Sequence, residues 1–278
     1  MSTGEAKDAR RAGRSPSSIS GALHVESVGS GPPLVLLHGW AMHSGIWGSL
    51  VGRLARRFRV HAVDLPGHGH SALPGAFTLD GAFASASAAL LAEARPLTAV
   101  GWSLGGLVAM RWARQEPARI SRLALVATTP RFSAAEDWPH AVPAETLERF
   151  GDELHVSWKL TIQRFLALQM HGSEHGRATL AALRHQVFAR GEPSPKALFG
   201  ALDAIVNTDL RAEVADIAQP AIVISGSRDM LAPPAAGRWL AQRLPDARFA
   251  LIEGAAHVPF LSHADAFGAA LDPFLDGC

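Results

Sequence analysis

The stretch that decides the fold is Gly101-Trp-Ser-Leu-Gly105, a match to the pattern G-x-S-x-G. An apolar run, Leu97-Thr-Ala-Val100, leads into it, and a helical pattern over Leu104–Gln115 follows. A serine at such a strand-to-helix turn has a strained backbone, and a Cβ at either glycine would collide with neighbouring backbone. The pattern alone is weak, but its place between a strand and a helix predicts that Ser103 is a nucleophile.

The same turn predicts where negative charge can be stabilised. The backbone N–H of Leu104 lies at a helix N-terminus and is a candidate donor to an oxyanion. The second donor is expected from the loop after an early strand, and Leu34-Val-Leu-Leu37 runs directly into His38-Gly-Trp40. We therefore predict that the N–H of Trp40 is the second donor. Its indole is expected either to wall a substrate pocket or to pack in the core, and both can hold.

A serine nucleophile needs a base, which follows the nucleophile and the acid along the chain in this arrangement. His257 ends the small-residue loop Glu253-Gly-Ala-Ala-His257, just after a predicted strand at 248–252. His263 is the alternative, but it falls where the next helix should already have begun. We predict His257 as the base.

The acid that orients the base is expected after the preceding strand. Asp229 follows the predicted strand at 219–225 and stands in a turn-rich stretch. Asp209 and Asp216 compete for the role, but both precede that strand. We predict Asp229 as the acid.

Apolar runs alternate with amphipathic stretches along most of the chain, which predicts a mostly parallel α/β sheet flanked by helices. The predicted strands are 34–37, 59–63, 97–100, 123–127, 219–225 and 248–252, with helices over 44–57, near 79–94 and over 104–115. The interval 131–210 breaks this rhythm with helical patterns at 144–155, 157–170, 175–189 and 195–206. We interpret it as a helical lid inserted into a core formed by 21–130 and 211–278, behind a disordered extension at 1–20.

Composition narrows the classes of function. The 278 residues are 48% hydrophobic and 18% charged, with a net charge of +1, so no nucleic-acid or membrane surface is indicated. No apolar run reaches the roughly 18 residues of a membrane span, and the charged N-terminus lacks the apolar segment of a secretory signal. Cys278 is the only cysteine, which excludes an intrachain disulfide. A cytoplasmic monomer is expected.

Two short motifs are weaker. His68-Gly-His70 has the look of a metal pair, but a glycine-rich turn explains it better. Gly29-Ser-Gly31 is a turn before a strand, since no phosphate-binding lysine follows. We expect neither a metal nor a cofactor.

These residues resemble the α/β-hydrolase superfamily and, within it, the family of pimeloyl-acyl-carrier-protein methyl ester esterases of biotin synthesis. The resemblance covers about 34–268. It is carried by Leu34-Val-Leu-Leu-His-Gly-Trp40, Val63-Asp-Leu-Pro-Gly67, Gly101-Trp-Ser-Leu-Gly-Gly-Leu-Val-Ala109, Phe132-Ser-Ala134 with Trp138-Pro139, Arg164-Phe-Leu-Ala-Leu-Gln169, and Ala255-Ala-His257 with Pro259-Phe260. The string that begins at Arg164 is the most specific part, because lids vary most between activities.

The resemblance implies that Ser103 attacks the methyl ester of a pimeloyl chain on acyl carrier protein, with His257 and Asp229 behind it. It also implies an acyl channel lined by Phe165, Leu166, Ala167, Leu168 and Gln169. The chain has no tyrosine, so a phenolic donor in that channel is excluded.

The acidic carrier protein implies basic residues on the lid. Arg164 and Arg177 fall where the family's lid arginines are expected, whereas Leu160 and Ala181 occupy two other such positions. The candidates to compensate for them are Lys159 and Arg184. Residues 177 and 184 share a helical face, but 159 and 164 are about 140° apart, so the sequence does not establish one basic face.

Two other readings stay open. A general carboxylesterase for short acyl esters would use the same three residues without a carrier protein. A non-catalytic ligand-binding protein on the same scaffold is a different class, because fold alone does not prove turnover.

Overall fold

The computed structural model describes residues 23–276, so the predicted extension at 1–20 and Cys278 lie outside the described residues. Within that range one sheet has the strand order β1-β3-β2-β4-β5-β6-β7. The strands are β1 Val25–Val28, β2 Pro33–Leu37, β3 Arg59–Val63, β4 Leu97–Trp102, β5 Ile120–Val126, β6 Ala221–Gly226 and β7 Ala247–Ile252. All neighbours pair in parallel except β1 and β3. The predicted mostly parallel sheet is confirmed.

The central strands form because they are apolar along their whole length. Every residue of β2, β4 and β6 is buried, as expected for parallel strands covered by helices on both faces. Strand β1 escaped prediction because its sequence, Val-Glu-Ser-Val, is half polar and mostly exposed. It pairs antiparallel with β3 at the sheet edge, where a short run with polar residues is tolerated.

Helices form in each interval where the sequence predicts one. The helix over 104–115 has its predicted bounds, those near 79–94 and at 175–189 are shorter, and the one at 195–206 extends one residue further. They are α1 Ser49–Leu54, α2 Leu79–Ala89, α3 Leu104–Gln115, α4 Ala144–Gln169, α5 Gly176–Gln186, α6 Pro195–Asn207, α7 Pro234–Arg243, α8 Pro259–Ser262 and α9 Ala264–Leu275, with 3₁₀ turns at Ser44–Trp47 and Val214–Asp216. The helix expected over 44–57 is divided, because Gly48 has φ +47°. That backbone conformation favours glycine and ends the first turn.

Helices α4, α5 and α6 lie between β5 and β6, and no strand of the sheet interrupts them across residues 127–220. Within α4, Ser157 has φ −155° and ψ 76°, which breaks the helix into two segments. This break falls where the sequence pattern separates 144–155 from 157–170. None of the helices in the described range is long and apolar enough to cross a membrane.

The turn between β4 and α3 is crowded at both glycines of the sequence motif. A Cβ on Gly101 would stand 2.3 Å from the carbonyl oxygen of Gly105. A Cβ on Gly105 would stand 2.0 Å from the carbonyl oxygen of Leu37 at the end of β2. Since backbone rather than flexible side chain lies there, neither site accepts a larger residue without moving a strand.

We predict that Gly105→Ala destabilises the fold by about 3 kcal/mol, because the added methyl group must displace the backbone of β2. Urea unfolding measures this free energy. Gly52→Ala on α1 is the matched control, since nothing lies within 4 Å of its Cβ position. The control should be neutral or stabilising by up to about 1 kcal/mol. Equal stability of the two variants would contradict the crowding argument.

Candidate active site

Three buried side chains form a continuous chain of hydrogen bonds at one edge of the sheet. The Nε2 atom of His257 lies 3.0 Å from the Oγ atom of Ser103. On its other side, Nδ1 lies 3.0 and 2.9 Å from the two carboxylate oxygens of Asp229. The three residues are at most 5% exposed. The imidazole can therefore take a proton from the hydroxyl group while the carboxylate stabilises the charge that forms.

The sheet topology brings these residues together. Ser103 follows β4, Asp229 follows β6 and His257 follows β7, and these strands point the same way. The carboxyl ends of parallel strands share one edge, so residues separated by more than 120 positions meet there. Two further N–H groups, from Leu231 and Ala232, donate to Asp229 Oδ1 at 2.9 and 3.0 Å. These hydrogen bonds fix the orientation of the Asp229 carboxylate.

The alternative acids Asp209 and Asp216 and the alternative base His263 make their contacts elsewhere in the structure. Asp209 pairs with Arg131 and Arg211, and Asp216 pairs with Arg114. His263 lies between α8 and α9, where its Nδ1 contacts the hydroxyl group of Ser262 at 2.9 Å. Burial lowers the pKa of His263, and its ring centroid lies 5.0 Å from that of His175. The structure does not bring any of the three to Ser103.

The two candidate oxyanion donors flank the serine. Ser103 has φ +55°, and its turn makes Leu104 the first residue of α3. The loop that carries Trp40 lies alongside, because a Cβ on Gly39 would come within 3.3 Å of the Ser103 Cβ. Among residues 23–276, the N–H groups of Trp40 and Leu104 have no acceptor. Both are therefore available to a tetrahedral oxyanion.

Trp40 is buried in the core, and its indole ring also lines a cavity. It is 2% exposed, and its N–H donates to the carbonyl oxygen of Leu198 on α6 at 2.9 Å. Its ring lies 5.5 Å from Phe150 and 5.0 Å from Phe165, both on α4. The tryptophan thus joins the loop after β2 to two of the inserted helices, α4 and α6.

A cavity opens at Ser103 and His257. Apart from these two residues, a single hydroxyl group, that of Thr146, interrupts a lining of apolar side chains. The remaining lining residues are Trp40, Phe132, Val142, Leu147, Phe150, Phe165, Leu168, Leu202, Ile205 and Leu231. With no charged side chain in its lining, the cavity favours an uncharged aliphatic chain over an ion.

The predicted acyl channel needs correction. Of the run from residue 165 to 169, Phe165 and Leu168 line the cavity, and the other three do not. Leu166 is fully buried on another face, and Ala167 is exposed. Gln169 is buried, and its backbone carbonyl oxygen accepts the N–H of His257. Consecutive helical residues point about 100° apart, so five in a row cannot face one channel. The sequence analysis missed Leu147 and Phe150, which also line the cavity. Their spacing of three residues places them on one face of a helix, a signal that could have predicted them.

The four basic residues expected at a carrier-protein surface differ in their surroundings. Arg164 pairs with Glu153 at 3.1 Å, and Lys159 pairs with Glu192. Arg177 and Arg184 are exposed on α5 and have no acidic partner in the described part of the chain. Since these two share a helical face, α5 offers the more available positive charge.

Polar residues beside Trp40 fix the shape of the loop after β2. The neutral ring of His38 accepts the N–H of Leu65 at Nε2, 2.9 Å away, and donates to the Gly39 carbonyl from Nδ1. Burial lowers the pKa of His38 to about 3 and that of His68 to about 4. A proton on His38 would break the bond to Leu65, so the neutral form is built into the fold.

Asp64 anchors the insertion to this region. Burial alone would raise its pKa, but the amides of His70 and Ser44 donate to the carboxylate and hold the pKa at about 2. Arg190, just after α5, adds a guanidinium 3.1 Å away. His24, Asp64 and His70 lie close enough together to hold a metal ion. A cation there would have to displace Arg190, so the group fits an ion pair better than a metal.

Comparisons with known proteins found relatives that cover most of the chain. A model of the alpha/beta hydrolase family matches residues 34–270. The pimeloyl-[acyl-carrier protein] methyl ester esterase of Chromobacterium violaceum is 46% identical over 256 residues, which are 91% of this chain and 98% of that protein. The protein of the same name from Nitrosospira multiformis is 42% identical over 250 residues, 88% and 95% of the two chains.

Solved structures share the fold. An esterase from Exiguobacterium antarcticum superposes with a TM-score of 0.85 at 20% identity over 91% of this chain and 95% of that one, a likeness of fold alone. A hydrolase from Pseudomonas aeruginosa superposes with a TM-score of 0.77 at 29% identity over 91% and 94% of the two chains.

We predict that the free energy of unfolding falls as the pH drops from about 6.5 to 4. In this range His38 and His68 bind protons in the unfolded chain but stay neutral in the folded one, because burial lowers their pKa. Each histidine therefore lowers the free energy of unfolding by up to about 1.4 kcal/mol per pH unit. Asp64 acts later, since its contribution persists above about pH 4 and is lost towards pH 2. Urea unfolding at several pH values measures the slope. His68→Gln should make it shallower, and a slope parallel to that of the wild type would refute the assignment.

Proposed function

The chain belongs to the alpha/beta hydrolase family, and we propose that it is a serine esterase that hydrolyses the methyl ester of pimeloyl-acyl carrier protein in biotin synthesis. The products are pimeloyl-acyl carrier protein and methanol. The observation that carries the proposal is the chain of hydrogen bonds from Ser103 through His257 to Asp229, which opens onto an apolar cavity. Relatives that bear this esterase's name match nearly the whole chain.

The geometry supports a two-step reaction. The Oγ atom of Ser103 attacks the ester carbonyl as His257 Nε2 takes the hydroxyl proton, and Asp229 stabilises the imidazolium. The N–H groups of Trp40 and Leu104 donate to the oxyanion of the tetrahedral intermediate. When this collapses, His257 gives its proton to the departing methoxide, and methanol leaves an acyl group on Ser103.

Water completes the cycle. His257 takes a proton from a water molecule, which attacks the acyl-enzyme and forms a second oxyanion in the same hole. Collapse returns the proton to Ser103 Oγ and frees the carboxylic acid, which loses its remaining proton to solvent and becomes a carboxylate. The product now bears a charge that the cavity does not match with any cation, so the lining favours its release.

The cavity lining explains why an ester end can enter. The apolar walls from α4 and α6 suit the methylene chain of the pimeloyl group, and the methyl ester is uncharged. The distal thioester remains attached to the carrier protein outside. Arg177 and Arg184 on α5 are the residues best placed to meet that acidic partner, with Lys159 and Arg164 as weaker candidates because both are already paired.

The proposal includes a monomer that acts in the cytoplasm, where it binds neither nucleic acid nor membrane. The small net charge of +1 supports the absence of a polyanionic partner. Light scattering measures the oligomeric state.

We predict that Ser103→Ala lowers kcat for ester hydrolysis by about 10⁴-fold or more, because the attacking atom is removed. Circular dichroism and thermal unfolding should be unchanged. Ser121→Ala is the matched control, since this serine lies near the start of β5 and contacts the Leu97 carbonyl, away from the site. Activity of Ser103→Ala within about tenfold of the wild type would overturn the assignment of the nucleophile.

We predict that kcat/KM is much higher for methyl pimeloyl-acyl carrier protein than for the free methyl ester of pimelate or for p-nitrophenyl butyrate. Salt should reduce this preference, because it screens the basic surface from the acidic carrier. Arg177→Glu should lower kcat/KM for the carrier-bound substrate about fivefold to tenfold, and Arg164→Glu should lower it less, since Glu153 already offsets that charge.

The control is Arg56→Glu. Arg56 is exposed and precedes β3, so it lies at the amino ends of the parallel strands, whereas Ser103 lies at their carboxyl ends. This substitution should leave all three rates unchanged. Equal or better rates on the small esters would indicate a general short-acyl carboxylesterase. Binding of the ester without turnover would indicate a non-catalytic protein on this scaffold.

A further inference from the structure

Trp102, the residue before Ser103, contacts the loop that carries the base. Its indole N–H donates to the carbonyl oxygen of His257 at 2.8 Å. Both residues are 1% exposed, so no water replaces this donor. The carbonyl group would be buried without a partner if the indole N–H were lost, which is a costly state for a polar group.

The same ring also packs against the loop that carries the Trp40 amide. A Cβ on Gly39 would stand 3.0 and 3.1 Å from two carbons of the Trp102 ring. The ring centroid lies 5.3 Å from that of Phe260, just beyond the base. One side chain therefore touches the loops that supply the oxyanion donor and the base, while its own backbone carries the nucleophile.

His257 is held from the opposite direction as well. Its backbone N–H donates to the carbonyl oxygen of Gln169, the last residue of α4, at 3.1 Å. The base is thus held at its N–H by an inserted helix and at its carbonyl by Trp102. Of these two contacts, the indole bond is the one that a side-chain substitution can remove.

We propose that Trp102 is a positioning residue, whose indole N–H sets the distance between His257 and Ser103. Without it the loop after β7 is free to relax, and Nε2 leaves hydrogen-bond reach of Oγ. The inference rests on the proposed esterase function. Small displacements of a reacting group can cost about a hundredfold in rate, so the effect is expected in kcat rather than in KM.

The test compares Trp102→Phe with Trp112→Phe. Trp112 is also fully buried, and its indole donates to Glu116 at 2.9 Å on α3, so the control deletes the same atoms from another hydrogen-bonded site. We expect Trp102→Phe to lose about tenfold to a hundredfold in kcat on p-nitrophenyl butyrate with KM unchanged. Both variants should lose similar thermal stability, and the control should keep kcat within about twofold of the wild type.

A spectroscopic readout separates positioning from general loosening. The proton on His257 Nδ1, shared with Asp229, gives a downfield proton resonance that is sensitive to the orientation of the ring. It should shift or broaden in Trp102→Phe and stay in place in Trp112→Phe. Equal kcat values for the two variants, with an unmoved resonance, would overturn the proposal.

Replacement of Trp102 alone by β-(3-benzothienyl)alanine covers the case in which the phenylalanine variant fails to fold. This residue keeps the shape of the indole and lacks only the N–H. It should reproduce the loss in kcat, whereas wild-type kcat would overturn the proposal. Failure of the esterase function is distinguishable, because the wild type and Trp112→Phe would then also be inactive.

Discussion

The close approach of backbone at the turn between β4 and α3 is the constraint on which the site depends. Ser103 has φ +55°, which is a strained backbone conformation. The turn can pack this tightly because Gly101, Gly105 and Gly106 have no side chains, and a Cβ at any of them would collide with a neighbouring segment. A Cβ on Gly106 would meet the Thr128 side chain at 2.5 Å. The turn brings the hydroxyl group and the first N–H of α3 to one point. The surrounding strands supply the stability that offsets the strain.

The inserted helices act on the chemistry as well as covering it. They supply most of the cavity wall, and the last carbonyl group of α4 holds the N–H of His257. Arg190, between α5 and α6, ties the insertion to the buried carboxylate of Asp64, which also accepts the N–H of Ser44. A segment anchored at both the base and the core fixes the geometry of the reacting groups even before substrate binds.

The distribution of charge separates the chemistry of the cavity from that of the surface. The walls of the cavity are apolar and suit a neutral ester, which shape and desolvation would hold there. The positive charge lies outside, and much of it is already paired, as for Arg164 with Glu153. In the proposed function, recognition of an acidic partner depends on Arg177 and Arg184 of α5, for which the structure describes no acidic partner between residues 23 and 276.

The sequence by itself determined the fold class and the candidate chemistry. The apolar runs and the turn around Ser103 are local patterns. A parallel sheet places residues after successive strands at one edge, and this predicted His257 and Asp229 as the partners of Ser103. Tertiary structure decided the rest. Strand β1 exists only through its pairing with β3, and the cavity wall depends on which face of α4 turns inward. The pairing of each surface charge depends on contacts between distant segments, such as Lys159 with Glu192, and no local pattern carries that information.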